Sequence, residues 1–529
     1  MKTYSREQFV KDVTAGIIVA IIALPLSIAL ALASGVGPEA GIFTAIVAGF
    51  VISALGGSSV QIAGPTAAFA TIVAGIVAKN GLDGLVIATI LAGIFLILMG
   101  LCHFGTLIRF IPYTITTGFT AGIAVTIVIG QLKDFFGVTY PDGVKPIETM
   151  EKLHAFVENC GTVNLSAVIV GVVSLAILII SPYIFKKIPG SLLAVVAGIL
   201  MVKFLPLKTS TIGDLYSISN ALPGFHFPAL SLAAVEDAIP NAFTIAVLAA
   251  IESLLSCVVA DGMINGKHRS DMELVAQGAG NIASALFGGI PATGAIARTA
   301  ANIKNGGRTP IAGMVHSITL VLVLVVLMPY AGMIPMPTIA AILFVVAYNM
   351  CQWRPFTHLI QTAPKSDILV LLVTFFLTVV FDLVVAIEIG MLLTCLLFMK
   401  RMSDETHVDS WTYVDDDSDA VNDHMQKLAK EIRVYEITGP LFFGAANAIE
   451  HIVVKDFTKC LVLRMRSVPA LDSTAMNALQ NLVKYCEAKG ITPIFSHVNE
   501  QPMHVMEKSG FVELVGKDNF CANISDALK

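Results

Sequence analysis

The sequence predicts a polytopic α-helical membrane protein, with about fourteen segments arranged as two inverted seven-segment repeats and a small cytoplasmic α/β domain behind them. Three observations predict it. The chain of 529 residues is 56% hydrophobic and only 13% charged, its mean hydropathy is +0.80, and apolar runs near the roughly 20 residues that span a bilayer recur as far as Lys400-Arg401. Two interrupted stretches repeat one pattern. Ile52-Ser53-Ala54-Leu55-Gly56-Gly57 leads through an extended Val60-Gln61-Ile62-Ala63 to Gly64-Pro65-Thr66-Ala67-Ala68-Phe69, and Ala283-Ser284-Ala285-Leu286-Phe287-Gly288-Gly289 leads through Ile290-Pro291-Ala292 to Thr293-Gly294-Ala295-Ile296-Ala297-Arg298. Beyond Arg401 the long apolar runs stop and strand and helix patterns alternate.

In each interrupted stretch an apolar helix ends at a Gly-Gly signature, and a small-residue helix too short to cross follows. Gly-Pro cannot continue a helix but opens one well, because proline in the first turn loses only an N–H that was unpaired anyway. Matching interruptions in two halves of a membrane protein point to a binding site near the bilayer midplane.

In chain order the first half is read as segments at about 13–33, 39–56, 66–79, 84–102, 110–133, 165–185 and 191–206. The second is read at about 239–262, 272–288, 294–304, 310–329, 333–350, 367–381 and 383–400. The first run follows Lys2, Arg6 and Lys11 but lacks a cleavage tripeptide, so it reads as an uncleaved helix. With the N-terminus inside, Arg109, Lys186, Lys187, Lys267, Arg269, Lys304, Arg308, Arg354, Lys365, Lys400 and Arg401 fall on the cytoplasmic side. The opposite loops, 134–163 and 207–237, carry acids such as Asp142, Glu148, Glu151, Glu158, Glu236 and Asp237. An odd number of segments per half inverts the second half relative to the first. Leu24-Pro25 then matches Ile239-Pro240, and Ile111-Pro112 matches Ile334-Pro335.

Residues 403–430, with Asp415-Asp416-Asp417, read as a solvated linker. From Glu431 the pattern predicts strands 432–438, 460–465 and 491–496, and helices from about Ala445, from Asp472-Ser473 to about Glu487, and from about Gln501. A net charge of −5 implies no nucleic-acid partner. The eight cysteines lie apart, with no metal-ligand spacing, and read as small core residues. No phosphate-binding loop, cofactor motif or nucleophile–base pair is visible, so neither an ATP-driven machine nor an enzyme is predicted.

Several motifs together resemble the SulP (sulfate permease) family with its C-terminal STAS domain. They are Ala23-Leu24-Pro25 with Ala33-Ser34-Gly35-Val36, Gly64-Pro65-Thr66, Ile251-Glu252-Ser253-Leu254-Leu255 with Val258-Val259-Ala260-Asp261, and Glu273-Leu274-Val275-Ala276-Gln277-Gly278 with Gly280-Asn281. Phe287-Gly288-Gly289-Ile290-Pro291 with Ala297-Arg298-Thr299 completes the membrane part; Gly439-Pro440-Leu441-Phe442-Phe443 and Leu471-Asp472-Ser473 are STAS-like. Within the family the chain looks most similar to the bacterial branch that carries four-carbon dicarboxylates. The resemblance implies a core and a gate domain, a homodimer, an inner-membrane location with both termini cytoplasmic, and a possible cytoplasmic protein partner of the STAS domain. It divides the chain into a transport domain, 1–402 (repeats about 10–206 and 238–402), the linker 403–430 and a STAS domain, 431–529.

In such a fold the two short helices point their N-termini at each other, each with unpaired N–H groups and about half a positive charge. Together they form an anion site that needs no lysine. Its expected lining is Thr66, Ala67, Ala68 and Phe69 with Ala295, Ile296, Ala297 and Arg298; by resemblance Leu26 and Leu30 face the same cavity, although many relatives hold a polar residue at Leu26. Glu252 and Arg298 are the intramembrane charges that call for a reason, either pairing or function. Two helix ends plus Arg298 supply roughly +2, and an ionised Glu252 removes one of those units. A dianion then binds better when Glu252 is protonated, and burial favours the neutral form. The expected function is proton-coupled symport of sulfate or a four-carbon dicarboxylate such as succinate or fumarate, with Glu252 as the coupling carboxyl.

Sodium coupling is the rival: Glu252 and Ser256 share a helix face, carbonyls near Thr293 would complete the shell, and bicarbonate or sulfate would be carried. Sodium-driven relatives hold an aspartate and a hydroxyl residue there. An exchanger, a channel or an anion sensor with STAS output, and a nucleobase–cation symporter sharing the inverted repeat, are the other readings; the STAS tail argues against the last. His103, His226 and His316 read as interfacial, Phe135, Phe136 and Trp353 as interface aromatics, and Asp382 and Glu388 as flanking charges. Ser473 stands at the position phosphorylated in some STAS relatives, and otherwise as part of a helix cap with Asp472.

Overall fold

The computed structural model describes residues 4–106, 112–141, 144, 146–184, 189–205, 207–216, 218–219, 221–228, 231–381, 383–411, 413–414, 426–427, 431–450, 452, 454 and 457–528. Arg109, Ile111, Asp142, Lys186, Lys187, Asp382 and Asp415–Asp417 lie outside them. Two compact units result, Met1–Met391 and Leu392–Lys529.

The first unit is helical. In the first half, α1 (Arg6–Ala33) and α2 (Pro38–Leu55) lead to strand β1 (Ala63–Gly64), a 3₁₀ turn Ala67–Phe69, α3 (Ala70–Leu101) and α4 (Tyr113–Phe136). Then come α5 (Thr149–Glu158), α6 (Leu165–Ile184), α7 (Gly190–Phe204) and the single turn α8 (Ile212–Leu215). The second half repeats the order: α9 (Leu232–Ile264), α10 (Ser270–Leu286), strand β2 (Thr293–Gly294), the short α11 (Ile296–Lys304), α12 (Pro310–Ala331) and α13 (Met336–Cys351), then α14 (Trp353–Thr362), α15 (Lys365–Val380) and α16 (Leu383–Asp404). The proline landmarks fall at equivalent places. Pro25 and Pro240 lie inside α1 and α9, and Pro112 and Pro335 cap α4 and α13. Among the described residues eight helices are long and apolar enough to cross a membrane.

Where the expected segments 66–79 and 84–102 meet, α3 breaks at Gly81, whose φ of 70° and ψ of −171° no helix tolerates. The helix proper begins at Ala70, four residues past the expected start. Helix α9 begins at Leu232, ahead of the expected 239, because the Ser231 hydroxyl accepts from Ala234 N at 3.2 Å. Helices α5 and α14 are polar along one side and were not expected as segments; α5 opens with a Glu148/Glu151 capping box.

Three expectations fail on burial. His316 is fully buried within α12, not interfacial. Phe135 is only 6% exposed and packs on Phe344, and a Cβ at Gly171 would come within 2.8 Å of its ring. Of the eight free cysteines only Cys257 and Cys486 are buried, whereas Cys102, Cys160 and Cys395 are exposed.

In the second unit a five-stranded sheet runs in the order β3 (His407–Trp411), β6 (Ile432–Thr438), β7 (Cys460–Ser467), β8 (Thr492–Ser496), β9 (Phe520–Cys521), while β4 (Tyr413–Val414) pairs with β5 (Gln426–Lys427). All neighbours are parallel except β3, which lies antiparallel on β6. Part of the expected linker is therefore sheet edge: His407 to Trp411 pairs with Val434 to Thr438 of β6, although its sequence shows no strict polar–apolar alternation that would have marked a strand. Helices α17 (Asn447–Glu450), α18 (Ser473–Ala488), α19 (Glu500–Lys508), α20 (Phe511–Val515) and α21 (Ile524–Ala527) complete the unit. Strand β7 is apolar on both sides because both faces are covered. Leu461 and Leu463 join Leu479, Val483 and Phe495, whereas Val462 packs with Val434 and Ile524. Burial, and after it the Glu487 carboxylate, push the Cys486 thiol up to about 11, leaving it protonated and unreactive.

Helix α18 starts at Asp472, whose carboxylate accepts from Ala475 N and from Phe443 N, each at 2.8 Å. Asp472→Ala leaves both amides without that partner and is expected to cost about 1–2 kcal/mol of STAS stability, read as a lower urea midpoint for protease cleavage of the full chain.

Candidate functional site

The two interrupted stretches meet as a two-stranded antiparallel pair, Ala63 opposite Gly294 and Gly64 opposite Thr293. The amide of Ala295 donates to Ile62 O at 2.9 Å and extends the pairing. In a bilayer this is the way an irregular backbone satisfies its N–H and C=O groups, because no water is there to do it.

Side chains of neighbouring helices secure the crossing. The Ser253 hydroxyl of α9 lies 2.8 Å from Thr293 Oγ1 and accepts from Gly294 N at 3.0 Å. Thr299 Oγ1 of α11 accepts from Ile62 N at 3.1 Å and from Ser256 Oγ at 3.4 Å. Asn302 donates to Val60 O, and Asn281 exchanges two hydrogen bonds with Ala292. Below them the buried Glu273 carboxylate accepts from Gly57 N, Ser58 N, Gln61 Nε2 and Gln277 Nε2, at 2.8 to 3.1 Å. A buried carboxylate with four donors is satisfied, so its job is to tie α10 to the turn after α2.

On this frame stand the expected site residues. Ala67, Ala68 and Phe69 are buried behind Thr66, which caps the 3₁₀ turn. Ala295 caps α11; Ile296 is 39% exposed, and the first-turn amides of α11 have no carbonyl partner within the helix. Leu30 is buried and Leu26 half-buried on α1. Glu252 and Arg298 do not pair with each other among the described residues. Glu252 Oε2 accepts from the Thr66 hydroxyl at 2.8 Å. Arg298 is 1% exposed; its Nη2 donates to Ser27 Oγ at 3.2 Å and to Pro65 O at 3.3 Å, while Nε and Nη1 have no partner. The guanidinium therefore does not snorkel to the cytoplasm. Ser256, expected beside Glu252 as an ion ligand, turns its hydroxyl to Thr299. A cavity of about 260 Å³, lined by Thr71, Lys79, Thr126, Asn241 and Thr244, reaches Ala68. In the second unit Ser473 is exposed as the first residue of α18.

Sequence reasoning missed Ser27, Gly64 and His316. Ser27 carries no signal beyond standing next to Leu26. Gly64 has one: a Cβ there would lie 2.3 Å from Arg298 Nη1, so only glycine leaves room for the guanidinium. His316 has both ring nitrogens unpartnered among the described residues. Glu273, Gln277, Asn281 and Ser284, a buried polar stripe at helical spacing on α10, were the legible sign of the lower network.

The fold and site define a multi-pass membrane protein with a broken-helix site at the crossing of two repeats. A family model described as the sulfate permease family matches residues 9–374, and the STAS domain matches residues 426–527. The chain is 39% identical to the putative sulfate transporter YvdB of Bacillus subtilis (strain 168), covering 98% of this chain and 97% of that one. It is 31% identical to the bicarbonate transporter BicA of Picosynechococcus sp., over 98% and 94% of the two chains. Among solved structures, the transmembrane domain of a cyanobacterial BicA superposes with a TM-score of 0.66 at 30% identity, covering 72% of this chain and 98% of that one. SLC26A9 superposes with a TM-score of 0.88 over 99% of this chain and 90% of the other; at 18% identity the likeness is one of fold. The chain belongs to the sulfate permease family: it is an anion transporter with a C-terminal STAS domain, and not an enzyme.

Gly64→Ala is expected to displace the Arg298 guanidinium and to destabilise the protein by about 1–3 kcal/mol, a strain of the overpacking kind. Gly75→Ala, where a Cβ meets nothing within 4 Å, is the control and leaves the melting temperature of the detergent-solubilised protein unchanged or raised.

Proposed function

We propose that this chain is a proton-coupled symporter of a small dianionic oxyanion, sulfate first and a four-carbon dicarboxylate such as succinate second. The observation that carries this reading is the division of labour between two buried charges. Arg298 keeps Nε and Nη1 without a protein partner, whereas Glu252 is held apart from it on Thr66. Unpartnered guanidinium N–H groups suit a planar or tetrahedral oxyanion. Two helix ends and Arg298 give roughly +2. An ionised Glu252 subtracts from that sum, so a dianion and a proton favour each other's binding, and by linkage each raises the other's affinity by the same factor.

The lining would be Thr66, Ala67, Ala68, Phe69, Ala295, Ile296, Ala297 and Arg298, with Leu26 and Leu30 as the apolar wall. The names of the relatives support sulfate; for the dicarboxylate the support is the matching charge. Sodium with bicarbonate is the second reading, favoured by the identity to BicA. Against sodium, the hydroxyls of Ser256 and Thr293 are already engaged with Thr299 and Ser253.

The same proposal locates the protein in the cell (inner) membrane with both termini cytoplasmic, since Lys267, Arg269, Lys304, Arg308, Arg354, Lys365, Lys400 and Arg401 mark one set of helix ends. It assigns 1–402 to transport and 431–529 to STAS, with 403–430 between them contributing the edge strand β3 to the STAS sheet. It takes the working form as a homodimer whose STAS domain docks a cytoplasmic partner, with Ser473 open to modification.

The test is uptake of labelled sulfate and of labelled succinate into proteoliposomes under an inward proton gradient, an inward sodium gradient or neither. Acceleration by protons alone is expected. Glu252→Gln is expected to keep exchange of anion for anion and to lose the proton acceleration. Accumulation driven by sodium at equal pH on both sides would sink the proposal.

A further inference from the structure

The hydroxyl of Thr66 carries one proton. It donates that proton to Glu252 Oε2 at 2.8 Å. A threonine at the start of a helical turn normally turns its oxygen to the amides behind it, yet Thr66 makes no such capping bond. The same residue stands at the mouth of the 3₁₀ turn, beside Pro65, whose carbonyl holds Arg298 Nη2 at 3.3 Å. An oxyanion drawn to the unpartnered guanidinium N–H groups and to the amides of this turn meets the Thr66 hydroxyl as well, and a hydroxyl cannot donate one proton twice.

We propose that Thr66 is the positioning residue that links the proton to the anion, giving its hydroxyl proton to Glu252 when that carboxylate is ionised and to the anion when it is protonated. The proton count balances. One proton from solvent adds to Glu252 Oε2; the new carboxyl O–H donates to Thr66 Oγ, and the Thr66 O–H, released, rotates to the anion. No covalent bond other than the O–H is made or broken. On anion release the steps run in reverse, and Glu252 returns its proton.

The inference rests on the proton-coupled reading above and deepens it: simple charge repulsion acts through space, whereas this link acts through one hydroxyl. Helices α3, α10 and α11 and strand β2 pack against α9. Their ionisable groups are Lys79 and Asp83 on α3, Glu273 and Asp271 on α10, and Arg298 and Lys304 on α11, with Glu236, Asp237, Cys257 and Asp261 on α9 itself. Glu273 is committed to its four donors, and Arg298 to Ser27 and Pro65. Among the described residues, Thr66 is the hydrogen-bond partner that Glu252 has.

The experiment compares the apparent affinity for sulfate and for succinate at acidic and alkaline pH in the full-length wild type, Glu252→Gln, Thr66→Val and Thr66→Ser. It is read by proteoliposome uptake and, independently of transport, by the rise in melting temperature that each anion gives the purified protein. A hydrogen bond to a charged group sets the scale, so the wild-type affinity ratio between the two pH values is expected to be roughly tenfold. It falls to about one in both Glu252→Gln and Thr66→Val and returns in Thr66→Ser. If Glu252→Gln flattens the ratio while Thr66→Val keeps the wild-type value, the link through Thr66 is overturned and the proton reading stands. A wild-type ratio of about one, or one that Glu252→Gln leaves unchanged, overturns both. Thr66→Ala serves in place of Thr66→Val should the latter not elute as a folded protein.

Discussion

A pair of two-residue strands holds this membrane unit together at its most vulnerable point. Where Ala63-Gly64 lies against Thr293-Gly294, each repeat supplies what the other lacks: a carbonyl for an amide, in a place where an unpaired group would cost several kcal/mol. Everything polar near the site refers back to that crossing. Ser253, Thr299, Asn281 and Asn302 anchor its edges, and Gln61, in the strand's approach, is held by Glu273. Such a rigid frame is what lets Arg298 keep two nitrogens, Nε and Nη1, without protein partners, a burden that a looser site would relieve by collapsing onto them.

The chemistry also separates cleanly into structural and responsive charges. Asp12, fully buried at the start of α1, accepts from Arg308 N, Thr309 Oγ1 and Tyr4 OH, and so fastens the first helix of one repeat to the loop that follows α11 of the other. Glu273 does the same between α10 and the turn after α2. Glu252 differs in kind, with a single hydroxyl for a partner. Two saturated carboxylates and one poorly satisfied carboxylate, in a unit that hides few charges, mark the last as the group free to change state.

Much of this was legible in the residues, and the legible part is the part governed by local rules. Gly-Pro at 64–65, the Gly-Gly ends of α2 and α10, and the paired prolines at 25 and 240 declare breaks and repeats, because proline restricts the backbone and glycine frees it wherever they stand. The strands around 432–438 and 460–467 declare themselves by apolar runs. Other features depend on tertiary contact. His316 lies in a helix that is apolar all round, where the residue alone does not reveal whether lipid, water or protein faces it. Phe135 reads as an interface aromatic until Gly171 leaves it a place to pack. The Thr66–Glu252 contact joins residues 186 positions apart, and no periodicity reaches that far.

The crossing also has a consequence for synthesis. Its two strands are separated by more than the length of a repeat, with Ala63 pairing to Gly294. At about 5–20 residues per second, the first strand waits on the order of ten to fifty seconds before its partner leaves the ribosome. Throughout that interval the amide of Ile62 and the side chain of Gln61 have none of the partners they finally take from Thr299, Glu273 and Cys257. The first repeat therefore enters the membrane unfinished, and the candidate site is completed only when the second repeat has begun to follow it.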